Sequence, residues 1–217
     1  QQQQQRKPPR RTIGLTDFER IRVLGKGAFG KVLLVRNKRT RKIYAMKILK
    51  KNHVINKRQV AHTMSERHVL GRSKHPFVVQ MHCAFQTVDK LIFVLDYCAG
   101  GDLYYHISRN GRLTEPRCRF YAAELAEALA HLHGRGVVYR DLKPENVMIT
   151  AEGHVKLVDF GLSKQNVKSA VEGASSYCGT PEYLAPEVMR DQSKRNYGTA
   201  IDWWSLGALM YEMLTGL

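Results

Sequence analysis

Acidic residues are almost missing from the start of this 217-residue chain: residues 1–60 hold 18 Lys+Arg and only two Asp+Glu. The remainder holds 17 of each, so the net charge of +16 belongs to the N-terminal quarter. Two readings of that quarter stay open. It is a surface for an acidic lipid, nucleic acid or peptide, or it is a solvated tail followed by one basic face. Aromatic residues are absent from residues 1–17, which removes the platforms on which bases stack, so nucleic acid is not the expected partner. Cysteine is sparse. Cys83, Cys98, Cys118 and Cys178 form no C-x-x-C pair, which argues against a zinc site and a disulfide framework and suits a reducing compartment. No apolar run approaches the ~20 residues of a membrane-spanning helix, and the Gln-rich basic start is no secretory signal. The expectation is a chain without a membrane span, in the cytoplasm or the nucleus.

What is present is a change of periodicity along the chain. Residues 1–16 carry Gln1–Gln5 and Pro8-Pro9 without apolar periodicity and read as a disordered basic tail, with order starting near Asp17-Phe18. From there to Leu49 apolar and polar residues alternate, as in strands. Residues 57–71 read as a helix with Val60, Met64 and Leu70 on one side. Strands follow around Val78–Gln86 and Leu91–Tyr97, and Cys98-Ala99-Gly100-Gly101 reads as a hinge. Beyond it the pattern turns helical. Thr114 is the predicted N-cap, Pro116 lies in the first turn, and Phe120, Tyr121, Leu125, Ala128, Leu129 and Leu132 form the stripe. A last helix over about Ala200–Met213 is apolar nearly all round and is expected to be buried. The predicted fold class is α+β: a strand-rich unit over 17–97 and a helical one over 98–217.

Tyr139-Arg140-Asp141-Leu142-Lys143-Pro144-Glu145-Asn146, followed by Asp159-Phe160-Gly161, places two acids, an amide and a lysine where phosphoryl transfer needs them. Asp141 can accept a proton from an attacking hydroxyl, and Lys143 can neutralise charge on the γ-phosphate. Asn146 and Asp159 offer the oxygen ligands that a hard cation such as Mg²⁺ takes. Upstream, Gly25-Lys26-Gly27-Ala28-Phe29-Gly30-Lys31-Val32 lets backbone N–H groups approach phosphate oxygens. The same spacing opens dinucleotide-binding folds, but there a helix follows. Here Val32-Leu33-Leu34-Val35 reads as a strand. Tyr44-Ala45-Met46-Lys47 supplies a lysine for the α- and β-phosphates, which needs an acid to orient it.

Together these motifs resemble a eukaryotic protein kinase, from Thr16 to Leu217, and Tyr139 before Arg140-Asp141 resembles the AGC group. The resemblance implies a two-lobed fold with ATP and Mg²⁺ as cofactors. It pairs Lys47 with Glu66, lays the adenine against the Asp96 carbonyl and the Cys98 backbone, and puts Leu95 behind it. It makes Ser176 the regulatory phosphorylation site for an upstream activating kinase, with Ser175 a competing acceptor. Arg140, Lys164 and His62 are the implied phosphate contacts, although His62 also reads as a plain solvated histidine. Thr180 is implied to bond Asp141 and Lys143, and Asp202 to brace the loop backbone.

By the same resemblance Asp102, Glu145 and Glu212 contact arginines before the acceptor in a protein substrate, while Tyr177, Pro181 and Leu184 line an apolar pocket after it. Asp102 stands where the family has the longer Glu. The family domain continues past the position of Leu217, and the usual partner of Glu187 falls in that continuation. An incomplete helical lobe with an uncovered apolar face is therefore expected. The functional expectation is an Arg-directed Ser/Thr protein kinase gated at Ser176; the alternative is a nucleotide-binding or regulatory fragment that transfers little.

Overall fold

Strand-forming residues at the start pair into one antiparallel sheet. In a computed structural model, which describes residues 13–27, 30–56, 59–190, 193 and 195–217, the chain opens with a 3-10 turn, Leu15–Asp17. β1 (Phe18–Gly27), β2 (Gly30–Asn37) and β3 (Ile43–Lys50) follow, then α1 (Lys51–Asn56), α2 (Val60–Arg72), β4 (Met81–Gln86) and β5 (Lys90–Leu95). The strand order is β1-β2-β3-β5-β4. Phe18, Leu33, Val35, Met46, Ile48, Ile92 and Val94 fill one face of the sheet.

Past the 96–101 linker the chain becomes helical. α3 (Leu103–Asn110) and α4 (Glu115–His133) precede a small ribbon of β6 (Val147–Ile149) and β7 (Val155–Leu157), and α5 (Ala200–Thr215) follows. The largest core joins α4 and α5 to both parts of the chain, through Leu125, Leu129, Leu132, Leu209 and Met213 on one side and Val69 and Leu70 of α2 on the other. Glu124 is the polar exception on α4. Its carboxylate is buried, accepts from Val155 N at 2.8 Å and lies 2.5 Å from His154 Nδ1, so it fastens the ribbon to the helix.

Several expectations are corrected here. Of the tail, residues 1–12 lie outside the described residues, but 13–16 are structured: Gly14 N donates to Asp17 Oδ2 at 2.9 Å. The helix expected over 57–71 starts, as described, at Val60, with Lys57 and Arg58 outside the described residues, and α1 before it was not expected. Val60 and Met64 face solvent, whereas Thr63, Glu66, Val69 and Leu70 face inward. Glu66 turns toward a lysine of β3, and that polar contact sets which side of α2 faces in. Val78 forms only an isolated bridge to Leu157, and β4 begins three residues later. Thr114 occupies the N-cap of α4 without a side-chain cap bond.

Phe120 is exposed, because the buried stripe of α4 runs through Tyr121. α5 is not buried all round: Ile201, Leu206, Leu209 and Met213 face in, while Trp203, Trp204, Tyr211 and Leu214 face out.

Leu129 has no exposure and sits at the centre of the largest core. Truncation removes its contacts and leaves a cavity. Leu129→Ala is expected to lower unfolding stability by about 2–5 kcal/mol, read as a shift in urea midpoint at unchanged slope.

Candidate active site

Lys47 lies mid-strand in β3, in register with Val32 of β2 and Phe93 of β5. Its Nζ donates to Glu66 Oε1 at 2.6 Å and stands 3.6 Å from Asp159 Oδ1. One cation thus ties β3, α2 and the Asp159 turn. Burial pulls the Lys47 ammonium down, but the charges and hydrogen bonds of Glu66 and Asp159 outweigh it and hold it above the usual lysine value. For Glu66 burial pushes the carboxyl up, Lys47 opposes, and Asp159 adds to the rise. A buried pair of this kind costs much desolvation, and removing one partner leaves the other uncompensated.

Across the cleft the loop after α4 gathers the second group. Asp141 Oδ2 accepts from Asn146 Nδ2 at 2.8 Å, and Asp141 Oδ1 accepts from Thr180 Oγ1 at 3.0 Å. Lys143 Nζ donates to Thr180 Oγ1 at 2.9 Å and lies 3.5 Å from Asp141. The implied Thr180 bonds are therefore present. Asp202 of α5 is wholly buried and accepts from the backbone N–H groups of Tyr139 and Arg140, both at 2.8 Å, with His133 Nε2 at 2.7 Å. Arg140 and Asp159 hold φ of 72° and 55°, the left-handed region in which a side chain is strained, so such contacts must hold them there. Tyr139 is fully buried; its hydroxyl donates to the Val158 carbonyl and its ring meets Phe160 edge-on at 5.1 Å. Burial, then the nearby Asp159, Asp141, Asp202 and Glu66, raise its phenol well above the ordinary value, so it stays a donor.

Between the two groups lies a cleft of about 420 Å³, walled by Gly27, Gly30, Val32, Lys47, Glu66, Asp141 and Asp159 among others. At Gly30 a Cβ would fall 1.8 Å from the Ile48 carbonyl, so only glycine fits there. Gly25 and Gly27 face open space; Ala28 and Phe29 of the same motif lie outside the described residues. The donor set suits a polyphosphate with a hard cation: an ammonium beneath the glycine strands, with the Asp159 carboxylate and the Asn146 amide beyond it.

Asp96 and Cys98 do not line this cavity. Asp96 lies 2.7 Å from His82 Nε2 and 2.9 Å from Lys156 Nζ. Burial lifts its carboxyl, but Lys156 and His82 more than offset that and hold it below the usual range. Burial pushes the Cys98 thiol up to about 11. Leu95 is half-buried at the end of β5.

Residues 18–217 match the family model for the protein kinase domain. The chain belongs to the protein kinase family. It is 51% identical over 205 residues to a RAC family serine/threonine-protein kinase homolog of Dictyostelium discoideum, covering 94% of this chain and 46% of that protein. It is 54% identical over 201 residues to Protein kinase 2 of the same organism, covering 93% of this chain and 41% of that protein. With the human serine/threonine-protein kinase Sgk1 it shares 53% identity over 203 residues, 93% of this chain and 46% of Sgk1. These similarities place it in the AGC group, and it spans less than half the length of these relatives.

In this kinase chain the segment after Asp159 is tied to both parts of the fold. Ser65 Oγ of α2 donates to the Ser163 carbonyl at 3.1 Å, and Gln165 Nε2 donates to Ser65 Oγ at 3.2 Å. Arg140 Nη1 donates to Ser176 Oγ at 2.7 Å and to the Tyr197 hydroxyl at 3.0 Å, and that hydroxyl donates to the Ser176 carbonyl at 2.6 Å. Tyr197 carries no periodic signal in the sequence, since it is a lone tyrosine in an isolated bridge to Ala174. The other two implied phosphate contacts, His62 and Lys164, are exposed. His62 Nδ1 lies 2.6 Å from Gln59 Oε1, and Lys164 pairs with Val138 through its backbone.

The implied substrate residues are dispersed in role. Asp102 caps α3, accepting from Tyr105 N at 2.7 Å. Glu145 is exposed, and Glu212 accepts from the Tyr183 hydroxyl. Tyr177 is exposed with the Arg195 guanidinium 5.2 Å above its ring, and Pro181 is exposed. Leu184 is buried among Val138, Ala185, Val188, Tyr197 and Ile201, and it lines a small recess with Asp141, Thr180 and Tyr183.

Asp202→Ala would leave the buried N–H groups of Tyr139 and Arg140 without an acceptor, at roughly 1–3 kcal/mol each. A loss of about 3 kcal/mol is expected in chemical denaturation, with Asp202→Asn less affected because its amide oxygen still accepts.

Proposed function

We propose that this chain carries out ATP-dependent phosphorylation of serine or threonine in protein substrates, with an N-lobe over 17–97 and a C-lobe over 98–217. The observation that carries the reading is the alignment of Lys47 with both Glu66 and Asp159 across the cleft from the Asp141–Thr180–Lys143 cluster. Lys47 holds the α- and β-phosphates under Gly25, Gly27, Gly30 and Val32. The Asp96 carbonyl and the Cys98 backbone, beyond the lining of the 420 Å³ cleft, are the proposed contacts of the adenine. Asn146 and Asp159 hold Mg²⁺, which when bound neutralises charge on the phosphates. Asp141 orients the substrate hydroxyl and takes its proton as the oxygen bonds the γ-phosphorus and the bond to the departing diphosphate breaks. Lys143 offsets the negative charge that gathers there.

An upstream kinase is the proposed partner at Ser176. The Arg140 guanidinium, already 2.7 Å from its hydroxyl, offers a charge-assisted partner to a phosphate. Glu145 and Glu212, with Asp102 at the start of α3, offer carboxylates to substrate arginines. A second reading is a chain that binds nucleotide and transfers little.

Asp141→Asn is expected to lower transfer to an Arg-containing peptide by about 10²–10⁴-fold while keeping the thermal shift produced by ATP and Mg²⁺. Wild-type turnover in that variant removes Asp141 as base. A thermal shift without transfer in the unaltered chain selects the second reading. Ser176→Ala is expected to abolish activation by an upstream kinase and Ser175→Ala to retain it, measured as turnover before and after phosphorylation.

A further inference from the structure

The basic residues of the N-terminal quarter are densest at one built location. β2 and β3 are joined by a hairpin whose tip reads Arg36-Asn37-Lys38-Arg39-Thr40-Arg41-Lys42, five cations in seven residues. Its backbone is held. Asn37 N donates to the Lys42 carbonyl at 2.9 Å, Arg41 N to the Asn37 carbonyl at 2.8 Å, and Lys38 N to the Asp17 carbonyl at 2.9 Å. Asn37 Oδ1 accepts from the backbone N–H groups of Arg39 at 3.0 Å and Thr40 at 2.9 Å.

Lys38, Arg39, Arg41 and Lys42 are all exposed on this frame. Glu19 offsets part of the charge, 3.3 Å from Arg36 and 3.8 Å from Arg41. Lys38, Arg39 and Lys42 form no ion pair among the described residues. A cluster of this size has no role in the cleft: β2 runs eight residues from the tip back to Gly30, about 25 Å at the rise of a strand.

We propose that this hairpin tip is a docking finger for an anionic membrane surface. Clusters of four to eight Lys or Arg are the number that holds a segment to acidic lipid headgroups. A projecting tip meets a plane, and exposed Ile43, next to Lys42, can rest at headgroup level. The tip has no aromatic residue on which a base could stack. The nearest recess, beneath Lys42 and Ile43, does not suit an acidic peptide: Asp96 and Glu152 line it, and its Lys156 is already paired with Asp96. No described helix is long and apolar enough to cross a membrane. Because the tip and the glycine strands occupy opposite ends of β2, docking leaves the cleft open.

The test is co-sedimentation of the full chain with vesicles of phosphatidylcholine alone or with roughly 30% phosphatidylserine, at about 0.1 M salt. Binding is expected only to the acidic vesicles and is expected to be released by high salt. Lys38→Gln/Arg39→Gln/Lys42→Gln, chosen because these side chains pair with nothing described, should weaken binding by about a hundredfold, roughly fivefold per cation, with an unchanged melting temperature. A second variant replaces Arg6, Lys7, Arg10 and Arg11 with Gln. If only that variant loses binding, the tail is the attachment and the hairpin assignment fails. Equal binding to neutral vesicles, or displacement by polyglutamate or single-stranded RNA at lower charge concentration than by acidic vesicles, also overturns it.

Discussion

Asp202 is buried without exposure, and its two carboxylate oxygens are taken up by the backbone of Tyr139 and Arg140 and by the His133 ring. A carboxylate in such a place is tolerated only when its charge is shared among donors. In return it fixes a stretch of backbone that includes Arg140 in the left-handed region. From that fixed point Asp141 is presented to Thr180 and Asn146, and Arg140 is presented to Ser176 and Tyr197. The cleft and the Ser176 segment therefore hang on one acid of α5.

The opposite wall depends on a second charge cluster. Lys47 reaches Glu66 and Asp159 together, so the position of α2 and the geometry of the Asp159 turn are linked through one ammonium. Ser65 adds a neutral link from α2 to the backbone of the same segment. Movement of α2 would separate the buried Glu66 from Lys47, where water screens the charges less than at the surface. An arrangement of this kind favours discrete states over gradual drift. It gives the Ser176 region a physical route to the cleft, through Arg140 on one side and through the segment tied to α2 on the other.

Charge is also partitioned along β2. One end meets the glycine approach to the cleft, and the other carries the dense cationic tip. Repulsion among the tip cations opposes a tight turn, and the Asn37 bonds within a short hairpin supply the restraint. Lys31 and Lys47 stand at the cleft, while the densest cationic run lies at the far end of β2.

The sequence by itself determined the kinase motifs, their order and the residue types in the cleft, because phosphate, cation and proton chemistry restrict which side chains can serve and at what spacing. Alternation and helical stripes also exposed the change from strands to helices. Tertiary structure alone decided the helical phase of α2, where Glu66 turns inward to Lys47 and leaves Val60 and Met64 outside. It decided that Leu184 packs inward and that Tyr197 joins Arg140 and Ser176. It also divided α5 into a buried and an open face, which an almost uniformly apolar pattern does not encode. Each of these depends on which distant surface meets a side chain. Local periodicity reports the preference of a segment, whereas burial and pairing are properties of two segments brought together by the whole fold.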